Sequence, residues 1–136
     1  MFLPKTPVQL QNLIKVQTVE AASISPIVEV IPLSPDELIT RSALKYGVNR
    51  QRLYDTLDCE SSHFIDPAIQ SGYYKDGVRE NSWGYGQFNL PSGLKTADGR
   101  VITKEIAIDP EEAVDAVAYN FSIHNENQWS CYRLTK

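Results

Sequence analysis

Only two cysteines and two histidines occur among the 136 residues, and neither pair carries ligand spacing. Cys59 and Cys131 stand far apart with no CxxC, and His63 and His124 each lack a spaced partner, so no metal centre is expected. Solvent-facing or hydrogen-bonded roles suit these histidines better. Positive charge is scarce too: 13 Lys and Arg against 17 Asp and Glu leave a formal net charge of −4, a poor match for a phosphate backbone. No nucleic-acid partner is therefore expected. No apolar run approaches the roughly 18–20 residues of a membrane span. The first 33 residues hold no continuous hydrophobic region of a signal peptide, being broken by Pro4, Pro7, Glu20 and Glu29. If the protein is exported, its signal is expected to have been removed or to lie outside this chain. A Gly-x-Ser-x-Gly elbow is also missing, so Ser61 and Ser62 beside His63 make no hydrolase triad.

What remains is ordinary for a soluble globular protein, with 42% hydrophobic and 22% charged residues and length enough for one domain. Residues 1–33 carry four prolines and no sustained helical period, and are expected to form an arm or linker with a short strand around Ile27–Ile31. Residues 34–136 form the expected domain. Ser34-Pro35-Asp36-Glu37 supplies a serine N-cap, an N1 proline and an N3 glutamate, predicting a helix to Tyr46 with Gly47 just beyond it. A second helix is predicted from Asn49. Residues 66–108 change character: Asp76-Gly77 and Asp98-Gly99 mark hairpins or tight turns. Asp109-Pro110-Glu111-Glu112 restarts helix, with Val114, Val117 and Phe121 as its apolar stripe. The expected class is α+β, mainly helical, with a small hairpin or irregular region.

Glu60 is the residue with the clearest chemical promise. It continues the Leu53, Leu57 spacing of the second helix, so an acid falls on the apolar face near a helix end. Partial desolvation there raises a carboxyl pKa and keeps it protonated near neutral pH, as a proton donor to a glycosidic oxygen requires. An ordinary last-turn glutamate bending out to water is the plainer alternative. Downstream, Gly84 and Gly86 bracket Tyr85 and precede Gln87, whose amide both donates and accepts. Glycines at that spacing admit a ligand or another element close to the backbone. Trp83, Tyr85 and Phe88 suit either stacking on sugar faces or a core. The two cysteines, read alone, fit buried thiols better than a disulfide.

In order along the chain, Glu60-Ser61, Pro67-Ala68, the Ser82–Gln87 turn and Pro91 resemble the lysozyme-like lytic transglycosylases, particularly the soluble-lytic-transglycosylase domain. Ala43–Val48 with Leu53, and Asp109–Glu112, are similar to the family's approach to its catalytic helix and to the start of its next helix. The likeness spans roughly residues 36–133. Cys59-Glu60-Ser61 and Trp129-Ser130-Cys131 resemble the resuscitation-promoting-factor branch, in which the two cysteines are joined.

The resemblance implies a lysozyme-like fold with the hairpin region beside a cleft, a Cys59–Cys131 disulfide and an extracytoplasmic setting in the periplasm, cell wall or medium. It also implies a monomer acting on peptidoglycan glycan strands without a cofactor. Glu60 would protonate the bond between N-acetylmuramic acid and N-acetylglucosamine. It would then take the proton of the muramic-acid C6 hydroxyl, leaving a 1,6-anhydro sugar. Ser61, Ser82, Trp83, Gly84, Tyr85, Gly86 and Gln87 would bind substrate or position the glutamate. Tyr119, in Ala118-Tyr119-Asn120, would neighbour Glu60, although it follows Gln87 too early to match the family's Ala-Tyr-Asn motif; a core tyrosine is the alternative. Asp66, Asp76 and Glu80 are the acids available to a two-carboxylate hydrolase, with turn and surface roles the plainer reading. A hydrolytic muramidase and a non-catalytic glycan-binding or secretion-apparatus module are the competing functions.

Overall fold

Helix α1 (Pro35–Tyr46) begins and ends where the local signals place it. Ser34 Oγ accepts the Glu37 N–H while Glu37 Oε1 accepts the Ser34 N–H, a closed capping box, and Gly47 leaves the helix in the left-handed region. The computed structural model describes residues 30–135. Most of the expected arm, and with it residues 27–29 of the expected strand, lies outside them; Val30 and Ile31 carry no regular structure.

Helix α2 (Arg50–Glu60) is capped by Asn49, whose side chain accepts the Arg52 N–H, and buries Leu53, Thr56 and Leu57. The expected hairpin at Asp76-Gly77 forms from β1 (Tyr74–Lys75) and β2 (Val78–Arg79), in register Tyr74 with Arg79 and Lys75 with Val78. A second antiparallel pair, β3 (Ser82–Trp83) and β4 (Phe88–Asn89), encloses the Gly84–Gln87 turn. Asp98-Gly99 forms a tight turn rather than a longer hairpin: Gly99 donates to Thr96 O at 3.0 Å, and Lys95 bridges Val101.

Helices α3 (Lys104–Ile108), α4 (Pro110–Ser122) and the short α5 (Ser130–Leu134) complete a mixed architecture of helices with two small antiparallel hairpins. Asp109 caps α4 through the Glu112 N–H. The expected stripe of Val114, Val117 and Phe121 is buried, and so are Ala113, Ala116 and Ala118. Alanines on its remaining faces let neighbours approach α4 closely, so it serves as the central helix. Helix α1 packs along it, while α2 packs against both α1 and α5. Trp129 plugs the far end of this core, edge-on to Phe88 and tilted against Phe121.

Candidate functional site

Glu60 ends α2, and the chain then turns sharply. Ser62, His63 and Phe64 all take positive φ, at 54°, 65° and 57°. Three successive non-glycine residues in the left-handed region are costly, roughly 1–2 kcal/mol each. Neighbouring contacts offset that strain. Ser61 Oγ accepts the Phe64 N–H at 2.8 Å, the His63 N–H bonds Asp58 O at 2.7 Å, and His63 Nδ1 lies 2.9 Å from Asp58 Oδ2. The Phe64 ring packs between Tyr54 and Tyr85. This turn halts the helix at Glu60 and leaves the carboxyl at the wall of a cleft.

The cleft has a volume of about 560 Å³. Cys59 and Glu60 line it from α2, Ser71, Tyr73 and Glu80 from the first hairpin and its flank, and Gln87 from the glycine turn. Glu60 is half-buried, and desolvation, the largest influence, pushes its carboxyl pKa upward. The backbone N–H of Cys131 opposes that shift by donating to Glu60 Oε2 at 3.1 Å. The Glu80 charge adds to the rise, and Arg133 counters it. Glu60 is therefore placed to hold a proton at a higher pH than an exposed glutamate does.

The residues expected to bind sugar divide into two groups. Gln87 lines the cleft. Its Nε2 donates to Ile69 O at 3.1 Å and Gly84 O at 2.9 Å, so its carbonyl oxygen is the group left for a ligand. Ser82 is buried and donates to Glu80 Oε2 at 2.5 Å. Ser61, Gly84, Tyr85 and Gly86 are buried structural residues, with Ser61 holding the left-handed turn. Gly84 lies against the α3 backbone, where an added Cβ would stand 1.7 Å from Ala107 O. Gly86 faces Val117, and its carbonyl accepts the Trp129 Nε1–H at 2.6 Å. Trp83 lies under Lys104, with Nζ 4.0 Å from the ring centroid, and is not among the cleft-lining residues. Tyr119 packs edge-on against Tyr46 and likewise does not line the cleft.

Cys59 and Cys131 are joined by a disulfide, so the end of α2 is fixed covalently to the start of α5 beside Glu60. Glu80 is not a free surface acid. It is half-buried, and both carboxylate oxygens accept serine hydroxyls, Oε2 from Ser82 and Oε1 from Ser71 at 3.2 Å. Tyr73 also enters the site unannounced. The Glu80 N–H bonds Tyr73 O at 2.8 Å, extending the β1–β2 register by one pair and placing both residues on the cleft. Asp66 and Asp76 are exposed, and neither lines the cleft. Among the described residues no cluster of His, Cys, Asp and Glu is arranged to hold a metal ion.

Compared with protein families, curated proteins and solved structures, the chain matches none. The site itself is a cleft holding two carboxyl groups, one desolvated and one fixed by hydroxyl donors.

Proposed function

We propose that this chain is a peptidoglycan lytic transglycosylase that cleaves the glycan strand with Glu60 as its proton donor. The observation carrying this reading is the half-buried Glu60 carboxyl, raised in pKa by desolvation and facing a cleft of about 560 Å³. In its protonated form Glu60 donates to the oxygen between N-acetylmuramic acid and N-acetylglucosamine, and the C–O bond breaks with its electrons passing to that oxygen. The carboxylate left behind accepts the proton of the muramic-acid C6 hydroxyl as this oxygen closes on the anomeric carbon. The Gln87 carbonyl is placed to accept from a sugar hydroxyl or amide. The Cys59–Cys131 disulfide suits an oxidising, extracytoplasmic setting. No described helix is long and apolar enough to span a membrane, and the reading takes the protein to act as a monomer on wall glycan without a cofactor.

Glu80 favours a second reading, because a second carboxylate in the same cleft suits hydrolysis, with water in place of the C6 hydroxyl. Mass spectrometry of digested cell wall separates the two: the anhydro product is lighter than the hydrolysed one by one water. Glu60→Gln is run beside the wild type. Loss of wall clearing supports either enzyme. Unchanged clearing removes Glu60 from the chemistry, and binding without cleavage by the wild type identifies a glycan-binding module instead.

A further inference from the structure

Resting on Glu60 as the proton donor, we propose that Arg52 is a positioning residue. By clasping Tyr132 it sets the orientation of α5, so that the Cys131 N–H meets the Glu60 carboxyl as that group releases its proton.

Arg52 stands on α2 about two turns before Glu60 and does not line the cleft. Its side chain reaches across to α5 and holds Tyr132 in two ways. The guanidinium carbon lies 4.0 Å from the centre of the Tyr132 ring, and Nη2 donates to Tyr132 O at 3.1 Å. Phe121 of α4 meets the same ring edge-on, with centroids 5.4 Å apart, so the ring is held by a cation on one side and by the core on another. The placement has a cost. Arg52 Nε is enclosed and has no hydrogen-bond partner among the described residues. An enclosed N–H without an acceptor disfavours the folded state, and such a group in a native fold calls for a reason beyond stability.

The reason lies in the neighbouring residue. Tyr132 follows Cys131, whose N–H donates to Glu60 Oε2 at 3.1 Å and whose sulfur is bonded to Cys59. The disulfide keeps α2 and α5 close but leaves rotation about its single bonds, so it does not by itself aim the Cys131 N–H. A second attachment one residue on, from the helix that also carries Glu60, removes that freedom. Helix α2 thus grips α5 from both ends, through Arg52 near its start and Cys59 near its end. The consequence is electrostatic. A hydrogen bond to an ionised acceptor is stronger than one to a neutral acceptor. The Cys131 N–H therefore favours the carboxylate that Glu60 becomes on giving its proton to the leaving oxygen. With α5 free to turn, the donor drifts away, Glu60 holds its proton more tightly, and the transfer slows.

The pH profile distinguishes this role from scaffolding. The charged groups acting on Glu60 are Glu80 from the hairpin flank, which raises its pKa, and Arg133 of α5, which lowers it together with the Cys131 N–H. Asp58 and His63, beside Glu60 in the chain, pair with each other. Loosening α5 weakens both influences that lower the pKa, so the acid form of Glu60 persists to higher pH. The experiment measures kcat, KM and the pH profile on soluble glycan strands for wild type, Arg52→Met, Arg52→Lys and Tyr132→Leu, with thermal unfolding of each. For Arg52→Met we expect kcat to fall about tenfold, KM to change little, and the alkaline limb of the profile to move to higher pH. Arg52→Lys keeps a donor for Tyr132 O and is expected to restore part of the rate and of the limb. Tyr132→Leu removes the ring but leaves the Arg52 charge, and should move the limb the same way. An Arg52→Met enzyme with the wild-type rate and limb overturns the proposal. So does a loss of rate that merely follows unfolding, with the limb unmoved. If Arg52→Met fails to fold, Tyr132→Leu decides: a limb moved to higher pH supports the role, and an unmoved limb overturns it. A titration of the Cys131 amide by NMR needs no substrate. Its shift should follow the ionisation of Glu60 in the wild type and do so with smaller amplitude in Arg52→Met; an equal amplitude overturns the clasp. Should Glu60→Gln stay active, the reading of Glu60 as the acid fails separately, whatever that amide does.

Discussion

Glu60 Oε2 accepts the backbone N–H of Cys131 at 3.1 Å, and Cys131 is bonded through sulfur to Cys59, the residue preceding Glu60. A short ring of contacts therefore joins the end of α2 to the start of α5 twice, once covalently and once through the candidate catalytic carboxyl. Opening the disulfide frees a loop spanning a sequence separation of 72, and the restored chain entropy favours the unfolded state by about 4 kcal/mol. The Cys59→Ser/Cys131→Ser variant is expected to lose stability of that order in urea unfolding. Reductant should produce the same loss in the wild type and no further loss in the variant. Activity should fall in both, because the donor held against Glu60 loses its anchor.

Glu60 is a functional group kept at a cost to the fold. Its pKa is raised above that of the unfolded chain, chiefly by desolvation. The sign follows from linkage: stability is full below the usual carboxylate range and is lost as pH rises through the raised value. Glu60→Gln does not titrate, and its side-chain oxygen can still accept the Cys131 N–H. Its melting temperature should match the wild type near about pH 4 and exceed it by a few degrees at neutral pH, while activity is lost. A neutral-pH melting temperature below the wild type would contradict the burial assigned to this carboxyl.

Much of the frame was legible because its signals are local. Ser34, Asn49 and Asp109 each cap the helix expected of them, and the Asp76-Gly77 turn closes the expected hairpin. The desolvation of Glu60 followed from its spacing after Leu53 and Leu57. Glu80 was harder to recognise because it reaches the cleft through pairing with Tyr73 and through two serines, one of them nine positions away. Nor does Ser62-His63-Phe64 carry the glycine or asparagine that ordinarily announces left-handed backbone. The Gly84–Gln87 segment was recognisable as a site where backbones approach closely. Its glycines meet α3 and α4, leaving Gln87 as the residue of that turn that lines the cleft.

Those glycines make separable predictions. At Gly84, φ is +79° and an added Cβ meets backbone, so neither a rotamer change nor a small side-chain shift relieves the clash. Gly84→Ala should cost more than about 3 kcal/mol. At Gly86 the nearest atoms are side-chain carbons, Val117 Cγ2 at 2.7 Å and Phe88 Cε2 at 2.8 Å. Gly86→Ala should therefore cost about 1–3 kcal/mol. Urea unfolding of the two variants tests the order, and an equal or reversed ranking would contradict the packing of Gly84 against Ala107.

Tyr119, which the resemblance places at the substrate, and Tyr73, which it does not, also part company. Tyr73 lines the cleft with 59% of its surface exposed, whereas Tyr119 packs against Tyr46 on the face of α4 toward α1. A ring beside a sugar contributes by stacking on its apolar face, on the order of 1 kcal/mol. Tyr73→Ala is accordingly expected to raise KM for glycan strands about fivefold, with kcat and melting temperature nearly unchanged. Tyr119→Phe removes only a hydroxyl from a residue outside the cleft and should leave both kinetic constants at wild-type values. If instead Tyr119→Phe reduces kcat while Tyr73→Ala is silent, the glycan lies along a different wall of the fold, and the assignments of Glu80 and Gln87 as its neighbours fail with it.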